Sequence, residues 1–402
     1  MTEKKRNILA FLMGLAAVLA AALWLARQTG ADFFAHCLTD SYTQQALAWR
    51  AGRTTIEGEM PWLELAIFNG KQYLSFPPVP TIPLWVMTFF FGGNTPSGLM
   101  TLLYLLGGYA AAFFLCARRM RPGSAALLAA FACAGGSLLD IAVSDANFCG
   151  AVWYQAQMLA FLMTMLAFLL VDGKRRAGWY GGLVCYALAI GCRPLNIALA
   201  PALLWVFGER LANGERFGWR LIRRAVPFCV APFLIGCAYG CYNLARFGSF
   251  FEFGHIYLPE YTNSGDPVFS LAFIGRNLRN LLRMPAVWQG WETMPTTGGF
   301  AAYLTQPGLT LGLVWVILRA VRGKLRAADA LLFACVAAQC LLLTLHRTLG
   351  GWQYGARYWC DTVPAVVYLR ARVERDAQPW ETALLGGAAA FNLLATAAFH
   401  LL

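Results

Sequence analysis

The sequence predicts an all-α, polytopic membrane bundle of about eleven spanning helices, and three observations carry that expectation. Hydrophobic residues make up 59% of the 402 positions and charged residues only 13%, with a mean hydropathy of +0.53. Apolar runs of about 15–20 residues recur along the chain, the length that crosses a hydrocarbon layer. When these runs are threaded alternately, the basic residues fall mostly on one side. A soluble chain of this length would form about two or three domains and carry far more charge. The net charge of +12 would suggest nucleic acid in a soluble protein; here it reads as basic cytoplasmic loops, and no nucleic-acid partner is expected. Of the twelve cysteines, nine lie inside apolar runs and only Cys37, Cys149 and Cys360 lie near polar loops, so they read as packing residues and not as a disulfide framework.

The chain opens with MTEKKR and an apolar run over 7–26. The run is long for a signal-peptide core and no small-x-small cleavage site follows, which suggests an uncleaved signal anchor. A polar interval over 32–83 comes next, most of it the first extracytoplasmic loop (28–80) with juxtamembrane helices. Within it, 41–51 reads as a surface helix ended by Gly52, Asn69-Gly70 as a turn, and 73–80 as extended chain entering the membrane surface. A short apolar run follows at 81–92, then full-length candidates at 98–117, 125–143, 154–171, 225–245, 301–318, 328–345 and 382–401. Runs at 178–192 and 195–207, separated by Arg193-Pro194, suggest a hairpin of two short helices, and 355–369 is a further marginal span. Helices of 14 or 15 residues reach only about 22 Å, so they need local thinning or a wet cavity. The whole chain is expected to form one transmembrane domain (1–402), with a second long outer loop over 246–300.

Sidedness hinges on 81–92. If that run does not cross, one face collects the basic N-terminus and the clusters at 118–121, 174–176, 210–224, 319–326 and 370–375, which together hold 21 of the 32 Lys and Arg. The positive-inside rule then predicts a multi-pass plasma-membrane protein with its N-terminus cytoplasmic and its C-terminus outside.

The candidate functional residues lie on the outer side. Asp40 begins the 41–51 helix; it could cap that helix, act as a general base, or do both. Glu57, Glu59 and Glu64 could hold a divalent cation, although solvated surface charge is the commoner fate of such carboxylates. Asp145, at a helix mouth in VSDANFCGAVWYQ, suits a cap. Arg193 is flanked by about 15 apolar residues on each side and needs a partner: a phosphate, or a carboxylate such as Asp145. The loop ARFGSFFEFGHIYLPEYT interleaves aromatics with Arg246, Glu252, His255 and Glu260, as a sugar-binding rim would. The segment HRTLGGWQYGARYWCDTVP places Arg347, Arg357 and Asp361 at a helix mouth, suited to an anionic headgroup. His36, His255 and His346 match no metal-ligand spacing, and neither a P-loop nor a dinucleotide fingerprint is present.

Several of these segments resemble the multi-spanning C-class glycosyltransferases (GT-C), the group that includes protein O-mannosyltransferases and lipid A aminoarabinose transferases. The resembling pieces are TDSYTQQALAWRAGR, NGKQYLSFPPVPTIPL, GCRPLNIALAP, YNLARFGSFFEFGHIY and GWQYGARYWCDTVP. The resemblance implies a polyprenyl-phosphate sugar donor and inverting transfer on the outer face to an envelope glycan, lipid or protein acceptor, with membrane lipids as surroundings. It implies an acid in the first outer loop, which by motif position is Asp40; Thr39 and Ser41 flank it where many members carry paired acids. It sets Lys71 near a basic residue that some relatives carry and Asp145 near a second outer acid. Within the resembling segments and the rim, Tyr73, Arg193, Arg246, Glu252, His255, Tyr257, Arg357, Tyr358 and Asp361 are the expected substrate-binding residues. The rival expectations are a non-catalytic lipid-linked-sugar transporter or flippase, and an inactive scaffold of the same architecture.

Overall fold

The structure is a computed structural model, described here for residues 2–60, 63–284, 298–373 and 375–401. Helix α1 (Glu3–Thr29) starts where the Thr2 hydroxyl accepts from Lys5 N and stops at Gly30 in the left-handed conformation. Its buried residues form one stripe, Gly14, Val18, Ala22, Leu25 and Ala26, while Ile8, Leu9, Leu12 and Met13 stay exposed, as suits a lipid-facing side. Gly14 is needed for that packing: a Cβ there would lie 2.1 Å from the Tyr109 hydroxyl, which donates to Phe11 O at 2.9 Å.

The polar interval folds into α2 (Ser41–Arg50), the hairpin β1 (Leu65–Phe68) and β2 (Lys71–Leu74), and α3 (Thr81–Phe91). Asn69 and Gly70, both at positive φ, make the tight hairpin turn. Helix α3 does not carry the chain across. Phe33 lies against Gly98, and His36 Nδ1 meets Thr95 O at 3.3 Å, so the interval leaves and rejoins the bundle at the same end. With eleven residues, α3 is about 16 Å long, too short to cross. Arg50 ties α2 onto it, donating to Thr88 O at 2.5 Å and lying over the Phe89 ring.

Helix α4 (Ser97–Cys116) follows as expected. The 125–143 run is two helices and not one: α5 (Pro122–Ala134) and α6 (Leu138–Val143), broken at Gly135-Gly136. A Cβ on Gly136 would lie 2.6 Å from Thr305 O, and Ser137 N donates to that same carbonyl, so the break admits the backbone of a segment 168 residues later in the sequence. Helices α7 (Val152–Val171) and α8 (Arg176–Ile190) pack together, and the Arg193-Pro194 turn leads through a 3-10 segment (Pro194–Leu199) into α9 (Ala200–Ala212). Helix α10 (Trp219–Phe247) contains Pro227 and Pro232 and buries few of its residues.

The second long loop carries α11 (Pro259–Ser264) and α12 (Ile274–Leu282); its stretch 285–297 lies outside the described residues. The 301–318 run is also divided, into α13 (Ala302–Thr305) and α14 (Pro307–Val321), because Pro307 has no N–H to continue the preceding turn. Helix α15 (Ala327–Thr344), a 3-10 turn (Arg357–Thr362), α16 (Val363–Ala371) and α17 (Pro379–His400) complete the chain. Among the described residues, seven helical segments, counting Pro194–Ala212 as one, are long and apolar enough to cross a membrane; α5 and α14 are shorter apolar helices. The two short sequence runs at 178–192 and 355–369 correspond to α8 and to the 3-10 turn with α16.

The two ends of the bundle differ chemically. At one end the basic loops meet buried acids: Asp172 pairs with Arg118, Arg119 and Arg210, Asp329 with Arg319 and Arg372, and Glu381 with Arg370 and Arg375. At the other end the polar interval, the Arg193 turn, the 248–283 loop and the 346–361 segment enclose two adjoining cavities.

Candidate active site

Helix α7 is the post on which the cavities are built. Its first turns present Trp153 and Tyr154 to a cavity at the mouth of the bundle, with Gln157 buried beneath them. Gln157 Nε2 donates to Arg357 O at 2.9 Å and to Asp361 Oδ1 at 2.8 Å, which holds the 357–362 turn against α7. Asp361 in turn accepts from Arg193 Nε at 3.0 Å. The partner of Arg193 is therefore Asp361; Asp145 instead accepts from Asn147 N and Phe148 N and faces His400 Nδ1 at 3.4 Å.

A polar cavity of about 210 Å³ is walled by Glu64, Trp153, Tyr154, Glu260, Tyr261 and Arg357, among others. A second, more apolar cavity of about 220 Å³ holds Arg193 amid Pro194, Leu195, Phe253, Phe269 and Leu343. Phe76, Trp153, His255, His346 and Tyr358 line both, so the two adjoin. The Tyr358 ring stands between the arginines, 4.9 Å from the Arg193 guanidinium carbon and 5.3 Å from that of Arg357.

Arg357 is 3% exposed, and its other ring neighbour is Tyr154 at 5.3 Å. Among the described residues its Nε has no hydrogen-bond partner and no carboxylate lies within ion-pair distance. A buried guanidinium in that condition is costly until an anion reaches it. The two imidazoles stay neutral: burial pushes His255 down to about 4, with Arg193 adding to the effect. Burial, His255 and the two arginines push His346 down to about 3. Of the two carboxylates that line the polar cavity, Glu260 is exposed and Glu64 is half-buried. Glu64 accepts from Trp153 Nε1 at 2.9 Å, and burial raises its pKa.

The structure thus brings together Arg193, His255, Arg357, Tyr358 and Asp361 and sets the other expected site residues apart. Asp40 is buried, caps α2 by accepting from Tyr42 N, Thr43 N and the Thr43 hydroxyl, and lines neither cavity. Burial raises its carboxyl to about 6. Lys71 sits exposed at the hairpin tip. Tyr73 and Tyr257 pack with Phe247 in a separate aromatic cluster. Arg246 lies between the Tyr242 and Phe247 rings and donates to Leu74 O and Asn243 Oδ1, which clamps α10 to β2. Glu252 accepts from Gly254 N within its own loop.

The sequence offers Glu64 only as a cation ligand or a solvated charge, and no motif in it marks Trp153, Gln157 or Tyr261. The acidic stretch does not act as one group: Glu57 pairs with Arg53, Glu59 is exposed, and Glu64 turns inward. Among the described residues no three His, Cys, Asp or Glu side chains converge as a metal site would require.

No protein-family model and no curated sequence matches the chain. Solved structures do. ArnT from Cupriavidus metallidurans superimposes in its apo state over 90% of this chain and 59% of its own, with a TM-score of 0.53 and 16% identity. Its structure bound to undecaprenyl phosphate covers 89% of this chain and 59% of its own at TM-score 0.51, again with 16% identity. The Archaeoglobus fulgidus oligosaccharyltransferase, tethered to an acceptor peptide, covers 96% of this chain and 55% of its own at TM-score 0.54 and 12% identity. The chain has the GT-C fold. It spans somewhat more than half the length of these GT-C structures, and at such identities the likeness concerns the fold alone.

Proposed function

We propose that the chain is an integral-membrane glycosyltransferase that moves a sugar from a polyprenyl-phosphate donor to an acceptor hydroxyl, with inversion. The observation that carries this reading is Arg357, a buried cation without a carboxylate partner beside a cavity whose neighbour is apolar and holds Arg193. A lipid phosphate fits that pairing: isoprenoid units against Leu195, Phe269 and Leu343, phosphate oxygens towards the two guanidinium groups, sugar in the polar cavity. ArnT has been solved with undecaprenyl phosphate bound, a ligand of the class this reading assigns.

In this reading Glu64 is the general base. It removes the proton from the acceptor hydroxyl as that oxygen attacks the anomeric carbon. The bond between the anomeric carbon and the phosphate oxygen breaks, and its electron pair leaves on the lipid phosphate, where Arg357 and Arg193 stabilise the added charge. Neutral His255 and His346 and the Tyr261 hydroxyl offer hydrogen bonds to sugar hydroxyls. Asp40, to which the first-loop motif points, has the separate task of holding α2. The basic loops at the opposite end support a cytoplasmic N-terminus and an extracytoplasmic cavity.

The test is transfer by the purified protein from a panel of polyprenyl-phosphate sugars, with the anomeric configuration of the product read by NMR. Glu64→Gln is expected to abolish turnover and keep donor binding, while Asp40→Asn, which preserves the cap, keeps turnover. The opposite pattern returns the base to Asp40. Donor binding without transfer by the wild type from any sugar favours a transporter or an inactive scaffold.

A further inference from the structure

The basic end of the bundle holds a second constructed feature, apart from the glycosyl cavity by the length of α7, about 30 Å for its twenty residues. Asp172, at the C-terminus of α7, is buried and organises arginines from separate parts of the chain. Its Oδ1 accepts from Arg119 Nη2 at 2.6 Å, Arg210 Nη2 at 2.7 Å and the Tyr368 hydroxyl at 3.0 Å, and its Oδ2 accepts from Arg118 Nη1 at 3.2 Å. Although burial alone would raise it, the arginines hold this carboxyl below its ordinary range. Around it opens a cleft of about 850 Å³, lined by those three arginines, Lys174 and Arg175. Five cations face one carboxylate, a net of +4 in a single lining.

We propose that this cleft is a binding site for a phosphate ester, assigned by the three Asp172-ordered arginines and by Lys174 and Arg175 at its mouth. The arginines are set in place before any ligand arrives, because each spends one nitrogen on Asp172 and keeps others for a second acceptor. The side chains of Lys174 and Arg175 have no hydrogen-bond or ion-pair partner among the described residues. The cleft also reaches the first turn of α8, where Ala177 and Gly178 line it and no side chain caps the helix, so free N–H groups add to the field. The basic residues at 216–223 make a useful contrast: they are exposed and line none of the cavities described above, as ordinary solvated cations are. Anion binding relieves the mutual repulsion of the five cations, and a cleft of this volume admits a group larger than inorganic phosphate. Two sources share the required chemistry, the headgroup of an anionic lipid in the leaflet at this end and a soluble phosphate ester.

The experiment uses the full chain in lipid nanodiscs. Pyrophosphate is titrated calorimetrically in phosphatidylcholine discs, and retained phosphatidylglycerol is counted by native mass spectrometry in mixed discs. The comparison is the double variant Lys174→Gln/Arg175→Gln, whose altered side chains hold nothing else in place. Saturable binding of either probe, weakened at least tenfold in the double variant, is expected. Pyrophosphate binding in the neutral discs identifies a soluble ester, and phosphatidylglycerol retention alone identifies a lipid headgroup. The proposal is overturned if neither probe saturates, or if the variant binds within threefold of the wild type. Undecaprenyl-phosphate binding at the far cavity should be equal in both proteins, which separates this result from any failure of the glycosyltransferase reading.

Discussion

Replacing Arg357 by glutamine should weaken binding of a polyprenyl phosphate by about 10- to 150-fold, since a hydrogen bond to a charged group contributes about 1.5–3 kcal/mol and about 1.4 kcal/mol is a factor of ten. The magnitude rests on three features of the site. The guanidinium is buried, no carboxylate within ion-pair distance competes for it among the described residues, and its neighbours are the Tyr154 and Tyr358 rings. A ligand phosphate therefore exchanges with no protein anion. The same features predict that stability is spared: with no ionic bond to lose, the thermal midpoint of Arg357→Gln should equal or exceed that of the wild type. Arg357→Lys should fall between, keeping the charge but losing the planar fork that lies against two aromatic rings. The assay is calorimetric titration of undecaprenyl phosphate into purified protein in nanodiscs, with thermal unfolding measured alongside. An affinity within twofold of the wild type, or a large fall in the midpoint of Arg357→Gln, would refute the reasoning, because Arg357 would then be a structural residue.

Asp361 predicts the reverse balance. Asp361→Ala leaves the half-buried Arg193 without its carboxylate, an expected loss of about 1–3 kcal/mol of stability; a thermal midpoint equal to the wild type would show that Arg193 has another partner. Asp40 predicts a pH dependence. Its carboxyl rises from 3.8 to about 6 on folding, so the folded state holds the proton more tightly and stability falls as pH climbs from about 4 to about 6. The loss is on the order of 2–3 kcal/mol and is complete above that window. Asp40→Asn removes this component, so its stability should be flatter with pH and its advantage over the wild type greater at pH 7 than at pH 4; parallel curves would contradict the assignment.

The spans were legible in the sequence because hydrocarbon length is a local property: α4, α7 and α15 agree with the apolar runs to within two or three residues. The non-crossing role of α3 was legible through the distribution of charge. Breaks at Gly135-Gly136 and at Pro307 were not anticipated, since both fall inside runs apolar enough to read as continuous, and the reason for the first is a distant backbone that needs room. Arg193 stood out because its flanks are apolar on both sides. Its partner did not, because the choice between Asp145 and Asp361 depends on where Gln157 holds the 357–362 turn. Glu64 and Asp40 differ only in which way their local folds turn them, the hairpin edge towards Trp153 and the helix start towards its own backbone. No residue-level signal distinguishes those outcomes.

The interval that departs from and rejoins one end of the bundle has a consequence for biosynthesis. It delivers Glu64 and Phe76 early, whereas Arg357 and Tyr358 emerge from the ribosome about 290 residues later. A nascent chain halted anywhere before that point has one wall of the chamber and not the other. Its uncovered tryptophan and phenylalanine faces would wait, open to lipid or to a chaperone, until α15 is inserted and the closing turn arrives.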